Sequence, residues 1–344
     1  MVQQLLTEGK LLDSSGRLQQ AGYNTQLVRE YNRKDIKSSS FRIKEWDYYY
    51  IGNEKYGVAL TIADNSYMSL ISVSFMDFTQ KTYKTTNHID FFTFGKLNMP
   101  SSFNNGDIHF DNKRVQIDFL NLGDKRALAC NFKKFKNNKD FVCTFELFDF
   151  PQDNMVIATP FPKKSTAFYY NAKINCMRAK GSVYIGGKGY FFDDNDTLAT
   201  LDWGRGVWTY KNTWYWSSMN TIIDNVRVGF NLGYGFGDNS KATENMIFVD
   251  GIAHKTEKVN FNIPINKNGK KDFLSTWTFE STDNRINLTF SPLLDRIDNT
   301  NAIIISTKQH QVFGLFNGTL TLDNGNIIKL RNALGFAEKV TNRW

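Results

Sequence analysis

The residues best able to do chemistry crowd into one stretch, Leu201-Asp202-Trp203-Gly204-Arg205-Gly206-Val207-Trp208-Thr209-Tyr210, followed by Trp214-Tyr215-Trp216. Four of the chain's seven tryptophans lie here. An aromatic wall with one fixed cation and one carboxylate suits a mostly apolar ligand that has a polar end. Asp202 and Arg205 either pair or line a cavity together, and Gly204 and Gly206 let backbone approach the guanidinium closely. The competing reading is a structural lock, a buried Arg–Asp pair closing a barrel end beneath packed tryptophans. Two further carboxylates become acid or base if an apolar interior desolvates them. They are Glu244, beside Asn245, and Glu338 in Gly335-Phe336-Ala337-Glu338. As rim carboxylates paired with Arg or Lys they would be structural. The candidate catalytic set is thus Asp202, Arg205, Glu244 and Glu338. The candidate ligand-binding set is Trp203, Trp208, Tyr210, Trp214, Trp216 and Asn245.

Other chemistries find no footing. There is no GxSxG, HExxH or GxxxxGK[ST], and no GxGxxG that follows a strand and opens a helix. His88, His109, His254 and His310 are scattered, and Cys130, Cys143 and Cys176 have no metal-ligand spacing. Asp193-Asp194-Asn195-Asp196 lacks the spaced glycine and terminal glutamate of a calcium loop and reads as a helix-capping acidic turn. Gly233-Tyr234-Gly235-Phe236-Gly237 reads as a bend at a barrel rim. Neither a metal nor a cofactor is expected.

The elements that must position these residues are strands. Of 344 residues, 41% are hydrophobic and 15% aromatic, enough for a packed core and against disorder. Val115-Ile117-Phe119, Phe141-Cys143-Phe145-Leu147, Trp277-Phe279, Ile286-Leu288-Phe290 and Leu320-Leu322 alternate with polar neighbours at period two. Asn104-Asn105-Gly106-Asp107, Gly186-Gly187, Asn268-Gly269 and Asp323-Asn324-Gly325-Asn326 supply turn signals. One short helix is predicted near Thr197 to Asp202, with Asp196 as its N-cap. In Tyr67 to Phe78 both faces are apolar, as expected for a strand that lines a barrel interior and also packs on a second domain. The fold class is therefore all-β, with closed barrels favoured because they leave no edge. Pro151, Pro160 and Pro162, half of the six prolines, mark a seam. The expected organisation is an irregular segment over 1–40, a first barrel over 41–162 and a second over 163–344.

The net charge of +8 invites an anionic partner only where cations cluster. The densest clusters, Lys133, Lys134, Lys136 and Lys139, then Lys267, Lys270 and Lys271, read as solvated hairpin tips, so no nucleic acid is expected. No secretory signal pattern opens the chain, and no apolar run approaches the ~20 residues of a transmembrane helix. A cytoplasmic protein is expected; its oligomeric state is not legible.

Several strings resemble the family called domain of unknown function 2804. They are Lys44-Glu45-Trp46-Asp47-Tyr48-Tyr49, Asn175-Cys176-Met177-Arg178-Ala179, Leu201 through Trp208, Glu244-Asn245 and Gly335-Phe336-Ala337-Glu338. They span nearly the whole chain in family order. The layout is more distantly similar to two-barrel, lipocalin-like proteins that include carotenoid hydratases. That likeness implies two calycin-type antiparallel barrels side by side and an apolar ligand. The closing Gly-Phe-Ala-Glu is similar to a Gly-aromatic-Ala-Glu-His ending there, with Lys339 standing where that ending has its His. The leading expectation is a protein binding an apolar or lipid-like small molecule in a β-barrel cavity. The alternative is a cofactor-free hydratase or isomerase acting on a terpenoid or polycyclic substrate through Asp202, Glu244 or Glu338, with Arg205 stabilising charge. A third is a structural or interaction protein using its basic face.

Overall fold

The computed structural model describes residues 2–302 and 305–343. Three short strands open it, β1 (Gly9–Lys10), β2 (Gly22–Asn24) and β3 (Arg29–Glu30). Single 3-10 turns at Arg33–Asp35 and Ser40–Arg42 lead into the first large sheet. That sheet contains β4 (Ile43–Gly52), β5 (Tyr56–Asp64), β6 (Ser69–Asp77), β7 (Thr82–His88), β8 (Ile108–Asp111) and β9 (Val115–Asn121). It continues through β10 (Arg126–Lys136), β11 (Lys139–Phe148), β12 (Met155–Phe161), β13 (Lys164–Ile185), β14 (Lys188–Phe192) and β15 (Leu198–Val207). The second sheet holds β16 (Lys211–Ile223), β17 (Val226–Tyr234), β18 (Met246–Val249), β19 (Ile252–Lys255) and β20 (Val259–Asn262). It ends with β21 (Trp277–Ser281), β22 (Ile286–Ala302), β23 (Ile305–Thr321) and β24 (Ile327–Arg343).

Both sheets are antiparallel and curled. The first runs β7-β6-β5-β4-β15-β13-β11-β10-β9-β8, with β12 and β14 also on β13 and β2 on β12. Its ends approach one another, where Thr86 on β7 donates to the Phe135 carbonyl on β10 at 2.8 Å. The second runs β19-β18-β17-β16-β24-β23-β22-β21-β20. Two barrel-like antiparallel sheets are what the alternating patterns led one to expect, and their lipocalin-like pairing is what the resemblance implied. Each interior is filled: Tyr49, Phe132, Phe141 and Trp203 are buried in the first, and Phe230, Trp277, Phe279 and Phe316 in the second.

A third apolar layer joins the sheets. Tyr48, Tyr50, Met76 and Phe78 of the first meet Trp216, Phe313 and Phe336 of the second. The two-faced strand has the reason expected for it. On β6, Ile71, Val73 and Phe75 face the first core, while Met76 belongs to the layer between sheets. β4 splits likewise, with Tyr49 inward and Tyr48 and Tyr50 outward.

Three expectations are corrected. Thr197 to Asp202 forms no helix; Leu198–Val207 is a strand, paired to β13 on one edge and β4 on the other. All its residues are buried, so its apolar character carries no period. The Asp193 turn, where Thr197 N–H meets the Asp193 carbonyl at 2.9 Å, feeds that strand instead of capping a helix. Second, the change of sheet comes between Val207 and Lys211, later than the proline-marked seam. Pro160 lies on β12, past the Val156–Ala158 stretch that β2 pairs, where a missing N–H leaves no ladder bond broken. Third, Asn104–Asp107 turns within the long connection before β8 and joins no hairpin. Elsewhere the turn chemistry holds. Asn137 and Asn138, both at positive φ, close the lysine-rich β10–β11 hairpin above buried Phe132 and Phe135.

Candidate functional site

Packed side chains occupy both barrel cores, and a cavity rich in carboxylates and tryptophans lies between the two sheets. A pocket of about 330 Å³ is bounded by the outer face of the first sheet and the facing strands of the second. Exposed Asn87 and Ile297 mark its opening.

Strand alternation decides what enters it. On β13, Tyr169 and Lys173 share the outward face, and β15 adds Asp202 in direct register with Lys173. From β16 come Trp214 and Trp216, from β24 Glu338, and from the loop before β18 Glu244. Trp46, Trp208 and Phe236 complete an aromatic wall. Trp46 stacks on Tyr169 at 6.1 Å and meets Trp208 edge-on at 5.2 Å; Phe236 is edge-on to Trp208 at 4.7 Å and to Trp214 at 5.2 Å.

Three carboxylates meet here in different settings. Asp202 receives Lys173 Nζ at 2.7 Å and the Asn171 amide at 2.6 Å. The Lys173 ammonium also lies 4.0 Å from the Trp216 ring centre, so this buried cation has both a counter-ion and a π face. Glu338 accepts from Trp214 Nε1 at 3.0 Å, Gln309 Nε2 at 3.1 Å and Gln311 Nε2 at 3.0 Å. Arg296 holds the other end of the Gln311 amide at 2.9 and 2.6 Å. The guanidinium can only donate, which fixes the amide orientation. Burial still raises the Glu338 carboxyl above its ordinary value, although the Trp214 bond and the positive charges of Arg296 and Lys173 pull it back.

Glu244 is placed differently. No cation stands within ion-pair distance of it among the described residues, and burial pushes its carboxyl up to about 6. Lys173 draws that value down, while Asp202 adds to the rise. Asn231 fixes its backbone, accepting from Trp216 Nε1 at 2.7 Å and donating to the Glu244 carbonyl at 2.7 Å. A Cβ at Gly233 would fall 2.6 Å from the Glu244 carboxyl carbon, so the glycine makes room for the acid. The Tyr169 hydroxyl is held protonated by burial, and by the negative charges of Glu244, Asp202 and Glu338. The pocket therefore offers a proton donor near neutral pH, an acceptor in an ion pair and a wall of rings.

Of the sequence-derived residues, Asp202, Glu244, Glu338, Trp208, Trp214 and Trp216 line this pocket. Four do not. On a strand, positions three apart face opposite ways, so Asp202 and Arg205 do not pair. Arg205 points into the first barrel, bonded to Asp47 at 3.0 Å and to the carbonyls of Trp46, Gly204 and Pro100, with its guanidinium 4.4 Å from the Trp203 ring. The structural lock exists, but its acid is Asp47. Trp203 belongs to the same core. Tyr210 lies outside the pocket beneath Arg42, and Asn245 braces Gly233 N–H and the Glu257 carbonyl, both at 2.7 Å.

Lys173, Tyr169, Arg296 and Gln311 escaped the sequence reading. Lys173 had one signal, a lysine in the middle of the fully buried run Ala167 to Met177. Each histidine pairs with an aspartate away from the pocket: His88 with Asp90, His109 with Asp118, His254 with Asp323 and His310 with Asp295. The cysteines are buried and free. Among the described residues no cluster of His, Cys, Asp or Glu could hold a metal, and no helix is long and apolar enough to cross a membrane.

Comparisons with known proteins agree with this fold. A family model described as a domain of unknown function, number 2804, matches residues 3–344. A search of curated proteins finds no match. Among solved structures, a candidate AttH protein from Nitrosomonas europaea superposes with a TM-score of 0.54 at 13% identity, over 92% of this chain and 98% of its own. Kievitone hydratase from Nectria haematococca superposes with a TM-score of 0.51 at 12% identity, over 98% of both chains. These are two-barrel lipocalin-like proteins, and at such identity the likeness concerns the fold.

Proposed function

The chain belongs to the domain of unknown function 2804 family, and from that premise we propose that it is a cofactor-free hydratase or isomerase for an apolar, isoprenoid or polycyclic substrate. The observation that carries this reading is the convergence of Glu244, the Asp202–Lys173 pair and Glu338 on one tryptophan-walled pocket. A pure binding site would have no use for three buried carboxylates, each costly to desolvate. The fold neighbour kievitone hydratase adds hydration, by its name, as the reaction class to test.

In hydration, protonated Glu244 gives its proton to one carbon of a substrate double bond. The positive charge left on the neighbouring carbon faces the rings of Trp208 and Trp214. Water adds its oxygen to that carbon and passes a proton to Asp202, whose ion pair with Lys173 holds it in place. Solvent returns the proton to Glu244. In isomerisation, Asp202 instead removes a proton from an adjacent carbon, and the double bond moves without net addition.

Native mass spectrometry and organic extraction of the purified protein test the reading. Wild type should carry a hydrated or isomerised molecule, or none, whereas Glu244→Gln should retain the unreacted alkene. The same stoichiometric passenger in both proteins would overturn catalysis in favour of simple ligand binding.

A further inference from the structure

An aromatic patch stands at the pocket rim, and we propose that it docks this protein on the surface of an anionic lipid bilayer. Phe91 is 70% exposed, Phe92 60% and Phe41 51%. Their rings connect through Phe94: Phe41 to Phe94 at 5.0 Å, Phe92 to Phe94 at 6.2 Å, and Phe91 to Phe92 at 6.4 Å. A contiguous exposed patch of this kind marks an interaction surface, unlike singly scattered apolar residues.

The patch is built, not frayed. Phe92 and Phe94 both sit at positive φ, +60° and +47°, a strained choice for bulky side chains. The fully buried Asp64 enforces it. Its carboxylate accepts from Ser66 N–H at 2.8 Å, the Thr93 hydroxyl at 3.0 Å and Gly95 N–H at 2.8 Å. The fold thus spends a buried charge to hold greasy rings outward.

Two strands lead from the pocket to the patch. On β6, Ser72 and Leu70 line the cavity, and the same face continues to Met68, which bridges Phe91. On β7, Thr85 and Asn87 line it, and Ile89 follows on that face, itself exposed. On the other side, Trp208 N–H bonds the carbonyl of Arg42, the neighbour of Phe41.

Charge selects lipid over a second protein surface. Solvent-accessible Arg42, next to Phe41, and Lys96, two residues past Phe94, adjoin the rings and outnumber Asp90, which precedes Phe91, on a chain of net charge +8. Aromatic rings framed by cations suit the headgroup–acyl boundary of an anionic membrane. Docking there would open the pocket beside the phase in which an apolar substrate dissolves. That last step rests on the function proposed above; docking itself does not.

Co-sedimentation with phosphatidylcholine vesicles, with and without 30 mol% phosphatidylglycerol, tests this, using the full chain. Wild type should bind the anionic vesicles, and weaken in high salt and on neutral vesicles. Phe91→Ser/Phe92→Asn, in which Asn tolerates the positive φ, should keep its melting temperature and lose affinity by about tenfold per ring. Glu244→Gln should bind vesicles as wild type does, so an idle pocket and a non-docking patch are separable results. Wild type left in the supernatant, an unaffected double variant, or a concentration-dependent dimer that the double variant abolishes would each overturn the proposal.

Discussion

Glu244→Gln should stabilise the fold and disable the chemistry, and the two effects should share one pH window. Burial moves this carboxyl from 4.5 to about 6. A folded value above the unfolded one means that the favourable contribution is complete below pH 4.5 and is lost as pH rises through 6. The difference corresponds to about 2 kcal/mol of cost at pH 8 for keeping an ionised Glu244 in the pocket. Glutamine carries no charge and escapes that cost, so the variant should match wild type at pH 4 and exceed it by up to about 2 kcal/mol at pH 8. Urea denaturation at unit steps from pH 4 to 8 measures this. If Glu244 is the proton donor, wild-type turnover should be half-maximal near pH 6 and fall about tenfold per unit above it, while the variant is idle throughout. A variant less stable than wild type by the same amount at every pH would refute the reasoning, because it would mean that the carboxylate is a satisfied structural group.

Three further outcomes follow from the same geometry. Arg205→Met should cost about 3–5 kcal/mol by leaving Asp47 buried and unpaired, and adding Asp47→Asn should recover part of it; thermal melts of the two variants and the double decide. Burial lowers Lys255 from 10.5 to about 7, as it does Lys44, so their contribution to stability is complete above pH 10.5 and lost as pH falls through 7. Stability should therefore rise from pH 7 towards pH 10, and Lys255→Met should remove up to about 1 kcal/mol per pH unit of that slope in denaturant titrations. Gly204→Ala places a Cβ 1.9 Å from the Trp46 ring, so it should cost about 3 kcal/mol and push that ring into the pocket, read by unfolding and by tryptophan emission.

What the sequence revealed follows the reach of each physical signal. Period-two runs such as Phe141 to Leu147 show strands because a half-buried strand must alternate, and β6 betrayed two apolar neighbours by being apolar on both faces. The same logic hides β15. A strand buried on every side has no alternation, so no local pattern showed that Asp202 and Arg205, expected to pair or to line one cavity, point to opposite faces. Partners far along the chain were equally hidden: Arg205 meets Asp47, and Lys173 meets Asp202, through strand register that no local pattern encodes. The carboxylates and tryptophans were legible by type. That they meet between the barrels, and not inside one, depends on how tightly Phe230, Trp277 and Phe316 fill the second interior, a matter of packed volume.

The most direct test of the account is isotope incorporation from solvent. Whatever alkene is extracted from Glu244→Gln should be returned to wild-type protein in ¹⁸O-labelled or deuterated water and followed by mass spectrometry. The account predicts that wild type adds labelled water across the double bond, or exchanges a carbon-bound hydrogen while moving it, and that Glu244→Gln does neither. An alkene that binds stoichiometrically and leaves wild type with no solvent-derived oxygen or deuterium would contradict it.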